Sequence, residues 1–233
     1  MIEIGGLQKT TLVDYPGRVA ATVFLTGCNF RCPFCYSSEL VLPEKIKKQP
    51  KISEKEFFDF LGERKGLLQG VVICGGEPTC NQDLPEFIKK IKEMGFLVKL
   101  DTNGSNPKML KRLVEEELID YVAMDVKAPR GKYEKTVGVK VRIQDIEESI
   151  AILKEGEVDY EFRTTVVPTL HSREDIIEIA EWIGPAKKFY LQNFRPEKTI
   201  DTQFEKIRPY PEKFLEELKK EISPYFEACQ VRG

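Results

Sequence analysis

The sequence has no long apolar run, no surplus of charge of one sign, and no linker or low-complexity stretch. Each absence closes off a class of protein. Without an apolar segment of about eighteen residues or a basic-then-apolar start, neither a membrane span nor a signal peptide is expected, and the expected location is cytoplasmic. The 36 basic and 38 acidic residues leave a net charge of only −2, so nothing global favours nucleic acid or a membrane surface as partner. With no linker, the 233 residues read as one domain, with residues 1–18 as an N-terminal extension and 200–233 as a C-terminal helix and tail. The six cysteines lack the even spread of a secreted disulfide framework, since three of them fall in one tight cluster.

That cluster reads Cys28-Asn29-Phe30-Arg31-Cys32-Pro33-Phe34-Cys35, with thiols four and then three residues apart. A loop of this length can turn all three towards one centre. A closed zinc site needs four ligands, whereas three thiolates on a four-iron cluster leave one iron free. A zinc reading would have to take its fourth ligand from Cys74, Cys80 or His171, and the usual second short knuckle is missing.

Around the cluster the chain alternates strand and helix signals. Short apolar runs at 19–25, 71–74, 97–100, 121–126, 160–167 and 189–192 suit buried strands. Between them lie helix signals: a Ser53 to Glu56 capping box, Asp83 before an amphipathic run, the Asn106-Pro107 start, a helix over about 145–154, and Ser172 with Asp175. A last helix is expected from Pro211 to about Ser223, and the basic segment 128–142 reads as irregular. Six strands with helical crossovers imply an α/β fold with parallel strands. The expected form is a partial (β/α)6 TIM-like barrel, open on one side. Cys28, Glu77, Asp101, Asp125 and Lys127 all fall at or just after strand carboxyl ends, where parallel barrels carry their sites.

The three-cysteine spacing resembles the signature of radical S-adenosylmethionine enzymes, and Gly75-Gly76-Glu77-Pro78 resembles their glycine-glycine-glutamate motif. Asp101-Thr102-Asn103-Gly104 and Met124-Asp125-Val126-Lys127 resemble the branch that activates glycyl-radical enzymes. Within it, Gly5-Gly6-Leu7-Gln8-Lys9-Thr10 and Asp14-Tyr15-Pro16-Gly17 are most similar to the activating proteins of anaerobic ribonucleoside-triphosphate reductase, with pyruvate formate-lyase activators the nearest alternative.

The resemblance implies that Cys28, Cys32 and Cys35 hold a [4Fe-4S] cluster whose free iron chelates S-adenosylmethionine. It further implies Gly75, Gly76 and Glu77 at the methionine amino group, with Glu77 offering either a hydrogen bond or a structural tie. Lys127 would meet the carboxylate, and Phe34 and Tyr36 the adenine. Thr102, Asn103, Asp125, Arg163 and Gln192 are implied as further cofactor contacts, and Asp101, Thr102 and Asp125 as the oxygens of a monovalent cation site. The implied partners are a glycyl-radical enzyme, the large subunit of anaerobic ribonucleotide reductase, and flavodoxin or ferredoxin as electron donor. A small-molecule enzyme of the 7-carboxy-7-deazaguanine synthase kind and a non-catalytic zinc or iron-sulfur scaffold are the competing readings.

Overall fold

In the computed structural model, which describes residues 2–232, eight strands form one sheet whose spatial order is the order of the chain. They are β1 (Ile4–Thr11), β2 (Ala20–Leu25), β3 (Gly70–Gly75), β4 (Leu97–Thr102), β5 (Tyr121–Asp125), β6 (Asp159–Val166), β7 (Ala186–Asn193) and β8 (Phe226–Arg232). β1 is antiparallel to β2, and every later neighbouring pair is parallel. The helices are α1 (Ser38–Val41), α2 (Pro43–Ile46), α3 (Glu54–Glu63), α4 (Leu84–Glu93), α5 (Pro107–Glu115), α6 (Tyr133–Val137), α7 (Ile143–Glu155), α8 (Arg173–Ile183) and α9 (Glu212–Ile222). None of the described helices is long and apolar enough to cross a membrane.

The six expected strands are β2 to β7. Two more strands flank them: the N-terminal extension supplies β1, and the tail supplies β8. Both are outer strands with mixed exposure, so neither shows the continuous apolar run of a buried parallel strand. The segment 128–142, expected to be irregular, contains α6, which at a single turn and a half is too short for periodicity to reveal. Both expected capping boxes are present: Ser53 accepts from Glu56 N, and Ser172 from Asp175 N.

The outward strand faces carry the main core. Val98 and Leu100 of β4 are fully buried in the same cluster as Phe57, Phe87, Ile88 and Leu113 from the helices. Phe57 of α3 stacks on Phe87 of α4 with ring centroids 5.3 Å apart. Each such side chain stabilises the fold by roughly 2 kcal/mol. A strand alternates its faces, so the residues between them point inward, and there the sequence turns polar: Lys99, Asp101, Asp125, Glu161 and Arg163. At the amino ends of the strands a small cluster of Tyr15, Ala20, Val72 and Tyr121 floors the interior. Above it the buried Glu161 accepts from Tyr121 Oη at 2.8 Å and from Arg232 at 2.7 and 3.2 Å. Among the described residues β8 does not pair with β1, so the barrel stays unclosed along those two edges.

Candidate active site

The chain leaves β2 at Leu25 and enters the cysteine loop. Cys28, Cys32 and Cys35 line one cavity of about 490 Å³ at the carboxyl end of the sheet. The loop is braced from within and from two distant segments. Cys35 N donates to Cys32 O (3.0 Å), and Arg31 Nη1 donates to the carbonyls of Cys28 (2.6 Å) and Phe30 (2.7 Å). Arg31 N donates to Val137 O at the end of α6, while Ile200 N and Asp201 N donate to Cys35 O and Pro33 O. All three cysteines are free. Burial pushes the thiols of Cys28 and Cys32 up to about 12, so a bound metal centre would be what holds them as thiolates. Among the described residues no three His, Cys, Asp or Glu side chains gather as a chelate for a single ion.

Gly75 and Gly76 also line the cavity, but their lack of side chains is demanded by the neighbouring backbone. A Cβ at Gly75 would stand 2.2 Å from Leu25 O, and one at Gly76 would stand 2.0 Å from Gly27 O. The glycines therefore let the end of β3 press against β2 and the start of the cysteine loop. Of the two alternatives for Glu77, the structure takes the tie. Its carboxylate accepts from Thr79 N (3.1 Å), Thr79 Oγ1 (2.6 Å), Thr102 Oγ1 (2.7 Å) and Asn103 N (2.6 Å), and the residue is 1% exposed. Glu77 thus staples the turn after β3 to the end of β4. Asn103 continues the tie, donating from Nδ2 to Asn29 Oδ1 at 3.0 Å within the cysteine loop.

A charged strip crosses the cavity floor from β4 to just beyond β5. The Lys99 ammonium sits on Asp101, and Arg163 bridges Asp101 (Nη1, 2.9 Å) and Asp125 (Nη2, 2.9 Å). Lys127 Nζ lies 3.6 Å from Asp125 Oδ2. Burial works against ionisation of Asp101 and Asp125, yet the neighbouring cations win and hold both carboxyls below their ordinary range. Burial, the largest single influence, likewise opposes the charge on Lys127, but its acidic neighbours, Asp125 first among them, together outweigh it, so the ammonium persists.

The remaining expected residues divide between wall and mouth. Phe34, Thr102, Asn103 and Gln192 line the cavity wall, with Phe34 buried, and Tyr36 is 60% exposed at its mouth. His171 lies outside the cavity and clamps its wall. Its Nδ1 accepts from Val167 N (2.9 Å), which leaves Nε2 protonated to donate to Lys127 O (2.8 Å). Cys80 is exposed, and Cys229 packs on the outward face of β8. Sequence reasoning passed over Lys99 and Arg31, and Cys74, considered there only as a fourth zinc ligand or an ordinary thiol, lines the cavity. For Lys99 the signal was available in strand alternation, since it shares a face with Asp101.

The His171 clamp has a testable cost. Burial, the largest influence, holds its pKa below the ordinary 6.5, against the opposing pull of Lys127 O and Asp175. Below about pH 6.5 the unfolded chain takes up a proton that the folded protein refuses, so stability falls on acidification through this window and is unaffected by this group above it. Urea unfolding of His171→Ala should show a loss of about 3 kcal/mol near neutrality, because Val167 N and Lys127 O lose their partner. It should also show a shallower decline in stability between about pH 6.5 and pH 5 than the parent.

An unclosed α/β barrel with three thiols and a charged strip at its strand ends is the frame of an enzyme that holds an iron-sulfur centre beside a small charged cofactor. The family model described as the radical SAM superfamily matches residues 22–183, and the chain belongs to that superfamily. Its members use a [4Fe-4S] cluster and S-adenosylmethionine. A Methanocaldococcus jannaschii protein described as a candidate glycyl-radical enzyme activating enzyme is 34% identical over 98% of this chain and 95% of its own length. Among solved structures, Streptococcus suis SuiB bound to S-adenosylmethionine superposes with a TM-score of 0.64 at 21% identity. The match covers 89% of this chain and 48% of SuiB. A domain of the pyruvate-formate lyase-activating enzyme of Bacteroides vulgatus superposes with a TM-score of 0.57 at 16% identity. It covers 70% of this chain and 99% of that domain. These two likenesses are of fold.

Proposed function

We propose that the protein is an activating enzyme that installs a radical on a backbone glycine of a partner, the large subunit of an anaerobic ribonucleoside-triphosphate reductase. The observation that carries this reading is the shape of the cavity. Its lining runs from the three thiols to Gln8 on β1 and Arg232 on β8, the two unpaired edges of the barrel. A polypeptide loop can reach the site through that side opening. The kinship over nearly the full length with a candidate activating enzyme supports the same reading. The Gly5 to Gly17 stretch supports the choice of reductase over a formate-lyase type enzyme.

Cys28, Cys32 and Cys35 would hold the cluster. When bound, the cluster and S-adenosylmethionine supply reductive cleavage of the sulfonium and a hydrogen-abstracting 5′-deoxyadenosyl group. Two buried polar atoms fit an amino-acid ligand. Arg163 Nε and Asn193 Oδ1 have no hydrogen-bond partner among the described residues, and both residues line the cavity. One awaits an acceptor and the other a donor, as a carboxylate and an amine supply. Lys127 adds a fixed positive charge, and Phe34 with Tyr36 offers aromatic faces to a purine.

The test mixes reconstituted protein, reductant, S-adenosylmethionine and a candidate reductase, then reads the electron paramagnetic resonance spectrum. A glycyl doublet that disappears when the reductase glycine is replaced by alanine is the expected result. 5′-Deoxyadenosine formation without any such doublet, across reductase and formate-lyase type partners, would move the protein to small-molecule chemistry. No 5′-deoxyadenosine at all would leave only the scaffold reading.

A further inference from the structure

The oxygens expected to bind a monovalent cation are already taken. Asp101 receives the Lys99 ammonium and one arm of Arg163, and Asp125 receives the other arm and faces Lys127. The Thr102 hydroxyl donates to Glu77 Oε1 and accepts from Gly104 N at 3.1 Å. Two carboxylates thus lie among three protein cations, and the strip is positive before any ion arrives. A sodium or potassium ion would add a fourth positive charge to the same buried row, where repulsion is poorly screened.

Lys99 makes the difference. Alternation along β4 turns it inward beneath Asp101, where it is 2% exposed. Its one hydrogen-bond partner among the described residues is the Asp101 carboxylate. An ammonium buried this deeply is stable only if an opposite charge offsets its desolvation, so Lys99 and Asp101 fix one another.

We propose that Lys99 is a built-in replacement for the monovalent cation: its tethered ammonium holds Asp101 in line with Arg163 and Asp125 beneath the cofactor, so that S-adenosylmethionine binds without any exchangeable ion. An ammonium and a potassium ion present the same single charge to a carboxylate. The tether keeps the lysine in place at any salt composition. Lys99 is on this account a positioning residue, acting through Asp101 and Arg163. The inference concerns cofactor binding and goes beyond the activase reading, whichever protein is the partner.

Equilibrium dialysis of S-adenosylmethionine against the reconstituted protein, in potassium, sodium or tetramethylammonium chloride at equal ionic strength, tests it. The parent protein should show a Kd constant within about twofold, since only screening is shared by the three salts. Lys99→Met keeps the aliphatic stem and removes the charge. In tetramethylammonium its Kd should rise by about tenfold, and potassium should restore most of the loss by binding the vacated carboxylate. Its thermal midpoint should likewise rise with potassium while that of the parent does not. A parent Kd that falls saturably with potassium overturns the proposal. So does a Lys99→Met protein that binds normally in tetramethylammonium, or one whose weakened binding potassium leaves unchanged. If that variant fails to fold, the salt series on the parent decides, together with thallium resonance spectra of the parent, in which a bound thallium signal counts against the proposal.

Discussion

Reconstituted Cys32→Ala protein will form no 5′-deoxyadenosine above background, a loss of at least about a thousandfold, and will lack the visible absorption of an iron-sulfur cluster. Cys32 is the most buried of the three thiols and is the middle one of the loop that follows β2. The loop around it is fixed by Arg31 inside and by residues 137, 200 and 201 outside, so no other side chain can swing in to replace the lost ligand. Cys74 lines the same cavity but projects from the regular strand β3, and Cys80 is turned to solvent. Removing one sulfur from a small buried residue costs the fold only about 1–2 kcal/mol, so circular dichroism should be unchanged. Cys229→Ala, on the far face of β8 against α9, is the matched control and should cleave the cofactor normally. Normal turnover by Cys32→Ala would overturn the three-ligand assignment.

Glu77→Gln is expected to lower the thermal midpoint by about 10 °C, through a loss of roughly 3 kcal/mol. A carboxylate can accept all four of the hydrogen bonds that converge on it here, whereas an amide must aim one NH2 group at Thr102, Thr79 or Asn103 N, each already a donor. The ends of β3 and β4 would then part, carrying Asn103 away from Asn29 in the cysteine loop. Cofactor cleavage should fall along with stability. Were Glu77 a direct cofactor ligand, the substitution would weaken S-adenosylmethionine binding and leave the midpoint of the cofactor-free protein unchanged. Scanning calorimetry without cofactor separates the two.

The frame of the molecule was readable because its six central strands are largely buried and punctuated by caps and glycines. The continuous apolar run at Val71–Ile73 and the helical period at Phe87–Ile91 are set by local chemistry. β1 and β8 escaped because outer strands need few apolar residues and take their definition from a neighbour. Residues at strand ends, such as Cys28, Asp125 and Lys127, were legible by position in a parallel fold. What each does there was less so. Glu77 reads in sequence as either a cofactor contact or a structural tie, and two of its four donors, Thr102 Oγ1 and Asn103 N, stand at the end of β4, where only tertiary contact brings them to it. Lys99 sits in a strand that its neighbours mark as hydrophobic. Its role depends on Arg163, two strands further along the chain in β6.

The cysteine loop is tied by backbone hydrogen bonds from Ile200 and Asp201, residues near the end of the polypeptide. The loop is translated early but can be locked only after those late residues have emerged and β7 has formed, because the two bonds close one of the longest sequence spans in the molecule. A nascent chain on the ribosome would present its three thiols on an unfastened segment. A cluster taken up before residues 200 and 201 emerge would sit on a loop without these two braces.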